Sequence, residues 1–278
     1  MPAREHTYRE YADPETIGRY RRLTAGEGIN YLLRTTYRAI FLESARAVLA
    51  ERDGDLRLLE FGCGAGMALH QLAEDLHGEN VPVELGVGAD LVPEMIEAAT
   101  QDLLRFGSCW AKDRLRYVVA ANEELVSRLS DSLTEGDEGV TETFHLAVGV
   151  NTFRYAIRHG TDAAVVEQLK LLLSPGGRVV MIDMNEAFPY GLKPRRRADG
   201  QGRGPFSFRL GTEKLPTLRE YAEPFRAAGF EVVRMENFCW IPHSANGLRF
   251  RLARAASPVL DRIARGHAMR SLVVARRP

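Results

Sequence analysis

Cysteine is scarce: three in 278 residues, Cys63, Cys109 and Cys239, too few and too scattered for a disulfide framework and without CxxC or Cys/His ligand spacing. A reducing compartment is therefore expected. Long apolar runs are missing as well, none approaching the ~20 residues that a membrane-spanning helix needs. The opening MPAREHTYREYADPE holds no apolar stretch behind a basic segment, as a secretion signal would. These absences predict an unexported, cytoplasmic protein. Lysine supplies only four of the 37 basic residues, and net charge is absent, 37 Lys+Arg standing against 37 Asp+Glu. That zero conceals a division. Residues 1–185 hold 19 basic and 29 acidic side chains, residues 186–278 hold 18 and 8, so the front carries −10 and the back +10. A basic segment of this size raises an anionic partner, nucleic acid included.

What is present is a globular composition, 45% hydrophobic, enough for a substantial core in one large or two small domains. Asp13 and Pro14 suit the cap and first turn of a helix ending near Arg22, and apolar groups from Tyr31 to Leu49 predict a second helix over 30–51. From 57 onward short apolar runs alternate with helical stretches. Strands are predicted at 57–61, 83–89, 115–120, 144–150, 177–183, 231–237 and 268–275, and helices at 66–76, 92–106, 123–132, 161–173 and 217–228. That alternation implies an α/β fold with a doubly wound, mostly parallel sheet and ligands at the carboxyl ends of its strands. The 186–216 connection breaks the rhythm with five Gly, four Pro and a cluster of Lys193, Arg195, Arg196 and Arg197. Loops of that length are usually functional or disordered.

The densest local signal is Leu58-Leu59-Glu60-Phe61-Gly62-Cys63-Gly64-Ala65-Gly66-Met67, a strand running through a glycine-rich turn into a helix. Gly62 and Gly64 permit a tight turn and a close backbone approach to a ligand. The dinucleotide pattern Gly-x-Gly-x-x-Gly would need Gly at 67, where Met stands. The run Glu-x-Gly-x-Gly-x-Gly instead resembles the first motif of the class I S-adenosylmethionine-dependent methyltransferases. Asp90-Leu91-Val92-Pro93-Glu94-Met95-Ile96 is similar to that family's D-x-S-P-E-M-I/L at the end of the second strand, Ala121-Asn122-Glu123-Glu124-Leu125 to its loop over the adenine with Ala121 in place of the common Asp, Leu173-Ser174-Pro175-Gly176-Gly177 to its turn before the fifth strand, and Ala228-Gly229-Phe230 to its turn into the sixth.

The resemblance implies a seven-stranded sheet, mostly parallel with the last strand antiparallel, an N-terminal helical lid over 1–52, and a cofactor domain over 53–278 with acceptor-side segments at 186–216 and 238–266. It implies S-adenosylmethionine as cofactor, S-adenosylhomocysteine as product, and cofactor contacts from Glu60, Gly62, Cys63, Gly64, Asp90, Leu91, Met95, Ala121, Asn122, Glu123 and Val150. Asp90 would take the ribose hydroxyls, since a carboxylate accepts both. Asn122 is either an adenine contact or a turn residue.

Methyl transfer from a sulfonium asks mainly for alignment of the acceptor, and a base is needed only where the acceptor must lose a proton early. Candidate acceptor contacts are Tyr11 and Tyr20, the favoured lid residues among Tyr8, Tyr11, Tyr20, Tyr31 and Tyr37, together with Asn151, Phe153, Tyr190 and Trp240. His243 and Tyr155 are the candidate catalytic groups, with a capping or surface role as the alternative for His243, and Arg154, Asp183 and Asn185 lie at strand ends nearby. No D/N-P-P-Y/F follows the fourth strand, and Val150-Asn151 lacks the carboxylate of the metal-dependent members, so no metal is expected. The expected activity is transfer to an O, N or C nucleophile of a small molecule, in specialised metabolism. The alternatives are an RNA methyltransferase using the basic third and an inactive scaffold that binds the cofactor. The arginines of 249–277 are read as a solvated face, because Leu248, Phe250, Leu252, Leu260 and Ile263 have spacing suited to packing. Lys193 and Arg195 to Arg197 are read as a rim favouring an anionic acceptor.

Overall fold

Side chains alternate across a strand, and here both faces of the central strands are apolar. In the computed structural model, which describes residues 26–133, 143–186 and 215–278, Leu58, Leu146, Val180, Ile182, Leu272 and Val274 turn to one core, and Leu59, Phe61, Ala147, Val179, Met181, Val273 and Ala275 to another on the opposite face. A sheet buried on both sides follows. Its strands are β1 (Leu56–Phe61), β2 (Val83–Asp90), β3 (Leu115–Val119), β4 (Phe144–Val150), β5 (Leu173–Met184), β6 (Glu231–Phe238) and β7 (Arg270–Arg276). The order is β3-β2-β1-β4-β5-β7-β6. Neighbours from β3 through β5 run parallel, while β7 runs antiparallel between β5 and β6. Strand order reverses between β1 and β4, and the crevice beyond their carboxyl ends is where such sheets bind ligands.

One face is covered by α1 (Glu27–Arg34), α2 (Thr36–Leu49), α3 (Met67–Gly78), α4 (Pro93–Phe106) and α5 (Cys109–Arg114), whose buried Leu32, Tyr37, Phe41, Leu69, Leu103 and Ala111 share the first core. The other carries α6 (Leu125–Leu133), α7 (Phe153–His159), α8 (Asp162–Leu172) and α9 (Leu218–Ala227), which bring Leu129, Phe153, Leu169 and Tyr221 to the second. A final helix, α10 (Gly247–Ile263), precedes β7. Thr217 and Glu220 begin α9 with reciprocal bonds, each side chain accepting from the other's backbone N–H.

Several expectations change. The helix predicted at 30–51 is two, broken at Thr35, whose backbone leaves the helical region while its hydroxyl donates to the Tyr31 carbonyl at 2.6 Å. Residues 36–49 belong to the sheet's own helical layer rather than to a separate cover, because Tyr37, Phe41, Ala45 and Val48 are buried. Residues 1–25 lie outside the described residues. Ser174 to Gly177 interrupt β5 instead of preceding it: Phe144 pairs with Leu173, and pairing resumes at Leu146 with Arg178. The apolar spacing in 248–263 mostly does not pack. Phe250 is buried, but Leu248, Leu252 and Ile263 are exposed, since α10 meets the body through Phe250, Ala253 and Ser257 on its opposite side.

Candidate active site

The turn after β1 is built from left-handed glycines, with φ of 62° at Gly62, 52° at Gly64 and 73° at Gly66, a region costly to any residue with a Cβ. The Cys63 N–H donates to the Ala89 carbonyl at 2.9 Å, which ties the turn to β2. The Gly64 N–H donates to Asp90 Oδ2 at 2.8 Å, and the Val92 N–H to Asp90 Oδ1 at 3.0 Å. One carboxylate therefore joins the turn to the start of α4. A Cβ on Gly64 would have nothing within 4 Å. That open space, bounded by the turn and Asp90, is the cradle.

Two side chains outside the motifs shape it. Thr152 sits against Gly62 so closely that a Cβ there would lie 2.5 Å from the Thr152 Cβ and nearer still to its hydroxyl, and the same hydroxyl accepts from Asn122 Nδ2 at 3.1 Å. Asn122 thus links the loop after β3 to the end of β4. Tyr117 lies over Gly66 and Gly88 and donates to the Gly66 carbonyl at 3.1 Å. Its signal was present in the sequence: Gly86 and Gly88 alternate along β2 and pair with Leu115 and Tyr117, small against large. Nothing local marked Thr152.

Glu60 is buried and accepts from the Leu69 N–H at 2.8 Å, so it caps the first turn of α3 from a strand away. Burial, helped by nearby Asp90 against that bond, pushes its pKa up to about 8. Burial likewise raises Asp90, against its bonds from the Val92, Gly64 and Leu91 backbone.

Residues 31–235 match the sequence model of a family described as "methyltransferase domain". The chain belongs to that family. No curated protein matches the methyltransferase in sequence. Among solved structures it is similar to an S-adenosylmethionine-dependent methyltransferase from Mesorhizobium loti, at 21% identity and a TM-score of 0.51 over 85% of this chain and 100% of that one. It is also similar to a putative enzyme of the same description from Listeria monocytogenes, at 13% identity, TM-score 0.53, covering 91% and 100%, and to the cyclase SpnF, at 16% identity, TM-score 0.51, covering 87% and 81%. At these identities the likeness shows the fold, class I and Rossmann-like. The methyltransferase's cofactor is S-adenosylmethionine, and the cradle fits it: open space beside Gly64, a carboxylate at the end of β2, and a buried acid, Glu60, below.

Of the other residues assigned to the cofactor, Cys63, Met95 and Ala121 are buried, and Leu91, Glu123 and Val150 are half-buried, all near the carboxyl edge of β1, β2, β3 or β4. The acceptor side lies past β4 and β5. Arg270 Nη1 donates to Asn151 Oδ1 at 2.8 Å, so the Asn151 amide nitrogen is the group facing His243 Nδ1 at 3.1 Å. Nδ1 then accepts, the hydrogen sits on Nε2, and Nε2 donates to the Tyr37 hydroxyl at 2.7 Å. Burial, and after it the cations Arg270 and Arg154, hold His243 well below the ordinary imidazole range. It is a neutral ring with both nitrogens engaged. Asn151 itself has φ of 59°, in the left-handed region that asparagine enters more readily than most residues with a Cβ.

Arg154 binds buried Asp183 twice, Nη1 to Oδ1 at 2.8 Å and backbone N to Oδ2 at 2.9 Å; it also donates to the Asn151 carbonyl at 2.6 Å and to the Tyr155 hydroxyl at 2.7 Å. Its guanidinium lies 4.2 Å from the Tyr155 ring centroid. Asn185, with Nδ2 bonded to the Gly266 and Ala268 carbonyls, braces the entry to β7. The structure thus brings Asn151, His243 and Tyr37 into one network and places Arg154, Tyr155 and Asp183 beside it. Phe153 is elsewhere: fully buried and 5.2 Å from the Phe225 ring, it belongs to the core beneath the sheet, so an acceptor contact is corrected to a packing residue. Trp240 is half-buried beside α10, its backbone N–H donating to Ser257 Oγ at 3.3 Å. Tyr11, Tyr20, Tyr190, Lys193 and Arg195 to Arg197 lie outside the described residues. Among the described residues no group of three or more His, Cys, Asp or Glu is placed to hold a metal ion, and no helix is long and apolar enough to cross a membrane.

Proposed function

We propose that this methyltransferase transfers the methyl group of S-adenosylmethionine to an O, N or C nucleophile of a small molecule, in cytoplasmic specialised metabolism. The observation that carries the reading is the chain of bonds joining Tyr37, His243, Asn151 and Arg270 beside the Arg154–Asp183 pair. Such a set fixes positions and offers little proton transfer, which suits an alignment-driven reaction. When bound, the cofactor supplies a methyl carbon activated by its sulfonium. The chain's own residues do the rest. Asp90 and Gly64 hold and orient the cofactor, Asn122 and Thr152 fix the loop over it, and Glu60, protonated below a pKa of about 8, caps the helix beneath the turn. His243 takes a positioning role, because neither ring nitrogen is left to remove a proton. Tyr155, held by Arg154, is the candidate to touch the acceptor.

Several arginines are already paired, Arg276 and Arg178 with Glu51, Arg234 with Glu43 and Glu236, and Arg265 with Glu236. This favours a small acceptor over an RNA backbone. Occurrence of the fold in a cyclase supports one second reading, a scaffold that binds the cofactor and transfers nothing. The test is release of S-adenosylhomocysteine with a panel of small phenols, amines, carboxylates and activated carbons, and with bulk RNA. Product with small molecules alone supports the proposal. Product with RNA alone, or saturable cofactor binding with no product anywhere, overturns it.

A further inference from the structure

Helix α10 turns its apolar side outward. Leu248, Leu252, Val259 and Ile263 are 71%, 61%, 59% and 75% exposed, and steps of four, seven and four residues put them in one stripe along the helix. The opposite side is the anchored one. Phe250 meets the Tyr31 ring edge-on at a centroid distance of 5.4 Å, and Ser257 accepts from the Trp240 N–H. At the helix start, the Glu27 N–H donates to Asn246 Oδ1 at 2.7 Å and the Gly247 N–H to Glu27 Oε1 at 3.2 Å. The stripe therefore cannot roll inward without breaking these contacts.

Its flanks are cationic. By helical geometry Arg249 borders the stripe on one side and Arg251 and Arg262 on the other, and all three are exposed. Asp261 is the helix's single acid. Among the described residues none of these three arginines has a carboxylate partner within ion-pair distance, in contrast to Arg234, Arg265 and Arg276 on the same third of the chain. An apolar stripe bordered by free arginines is what lies in the plane of a membrane interface, acyl chains taking the leucines and anionic headgroups the guanidinium groups. A polyanion such as RNA would answer the arginines and leave the stripe without a partner.

We propose that α10 is a docking face for an anionic lipid surface. The loop carrying His243 leads directly into α10, so docking sets the acceptor side of the site beside the bilayer, where a lipophilic acceptor would be concentrated.

The test is flotation of the full-length protein with phosphatidylcholine vesicles, with and without phosphatidylglycerol, at low and high salt. The protein is expected to float with the phosphatidylglycerol vesicles, and to do so at least about tenfold less with pure phosphatidylcholine or at high salt, where screening weakens the arginine contacts. Leu252→Glu with Ile263→Glu is expected to lower binding at least about tenfold, leaving cofactor affinity and melting temperature as in the parent. Both side chains are exposed, so folding does not depend on them. Arg249→Glu with Arg251→Glu should remove the preference for the anionic lipid. No flotation by protein that binds the cofactor overturns the proposal. So does flotation indifferent to the Leu252 and Ile263 changes, RNA retention that survives them in protein that does not float, or a concentration-dependent dimer abolished by them without any flotation, which would make the stripe a contact between copies of this chain.

Discussion

Gly62→Ala should destabilise the protein through one identifiable neighbour. The backbone at Gly62 has φ of 62°, and placing a residue with a Cβ there costs about 1–2 kcal/mol. The new carbon would lie 2.5 Å from the Thr152 Cβ and closer to its hydroxyl, an overlap that overpacking precedents put at about 1–3 kcal/mol. Moving Thr152 aside also gives up the Asn122–Thr152 hydrogen bond of 3.1 Å, worth about 1 kcal/mol net. The total is about 3–6 kcal/mol, large beside the ~5–15 kcal/mol that holds a typical domain folded. Urea unfolding followed through Trp110 and Trp240 measures it, and a double-mutant cycle assigns it. In a Thr152→Gly background the cost of Gly62→Ala should drop to the backbone contribution alone, a coupling of about 2 kcal/mol or more. Gly64→Ala serves as the contrast, since its φ of 52° carries the same backbone cost but its Cβ would meet nothing within 4 Å. That variant should lose about 1–2 kcal/mol of stability and much more of its cofactor affinity. Equal costs for Gly62→Ala with and without Thr152, within about 0.5 kcal/mol, would refute the packing argument.

The remaining expectations concern charge. Asp90→Ala removes the acceptor of two backbone N–H groups, each such charge-assisted bond being worth about 1.5–3 kcal/mol; calorimetry should find no cofactor binding, and retained affinity would show that Asp90 only closes the turn. Glu60, with a folded pKa of about 8 against ~4.3 when unfolded, keeps a proton between those values that the unfolded chain releases. Stability should therefore fall as pH rises through that window, by up to about 1.4 kcal/mol per pH unit, and Glu60→Gln should flatten this part of the profile; a wild-type minus variant difference constant from pH 5 to 8 contradicts the assignment. Asp183→Ala leaves Arg154, 14% exposed, beside an empty partner site and should cost about 3–5 kcal/mol in urea, with Arg154→Met/Asp183→Leu costing less. His243→Gln should lower kcat without changing the shape of its pH profile, whereas loss of a limb near neutrality would restore His243 as a base.

The glycine turn and the two acids beside it were legible because each is a short-range requirement. Gly62, Gly64 and Gly66 answer to backbone angles, and Asp90 and Glu60 to the ends of adjacent strands, so spacing along the chain carries the information. The strands were legible for a similar reason, a run of apolar residues bounded by turns. Phe153 and Asn151 were not separable on that basis. They are two residues apart after β4, yet one enters the core beneath the sheet and the other bends upward with a left-handed backbone. Thr152, between them, has no local mark at all, and its importance comes from Gly62 and Asn122, neither of them a sequence neighbour.

The charge division shows the same boundary. The order of residues was enough to place the basic side chains after residue 185, to predict a two-sided sheet, and to bring a glycine cradle and two acids to the ends of its first strands. Which charges remain available was settled by the folding of distant segments onto one another. Glu51 neutralises Arg276 across 225 positions, at 2.9 Å, while Arg249, Arg251 and Arg262 flank an exposed stripe. That folding also decided that Tyr37 and His243, 206 positions apart, share a hydrogen bond of 2.7 Å. Periodicity and backbone preference act over a few residues and are written in the order of the chain. Ion pairs, hydrogen bonds and overlaps depend on distances of a few ångströms in space, which no position in the sequence records.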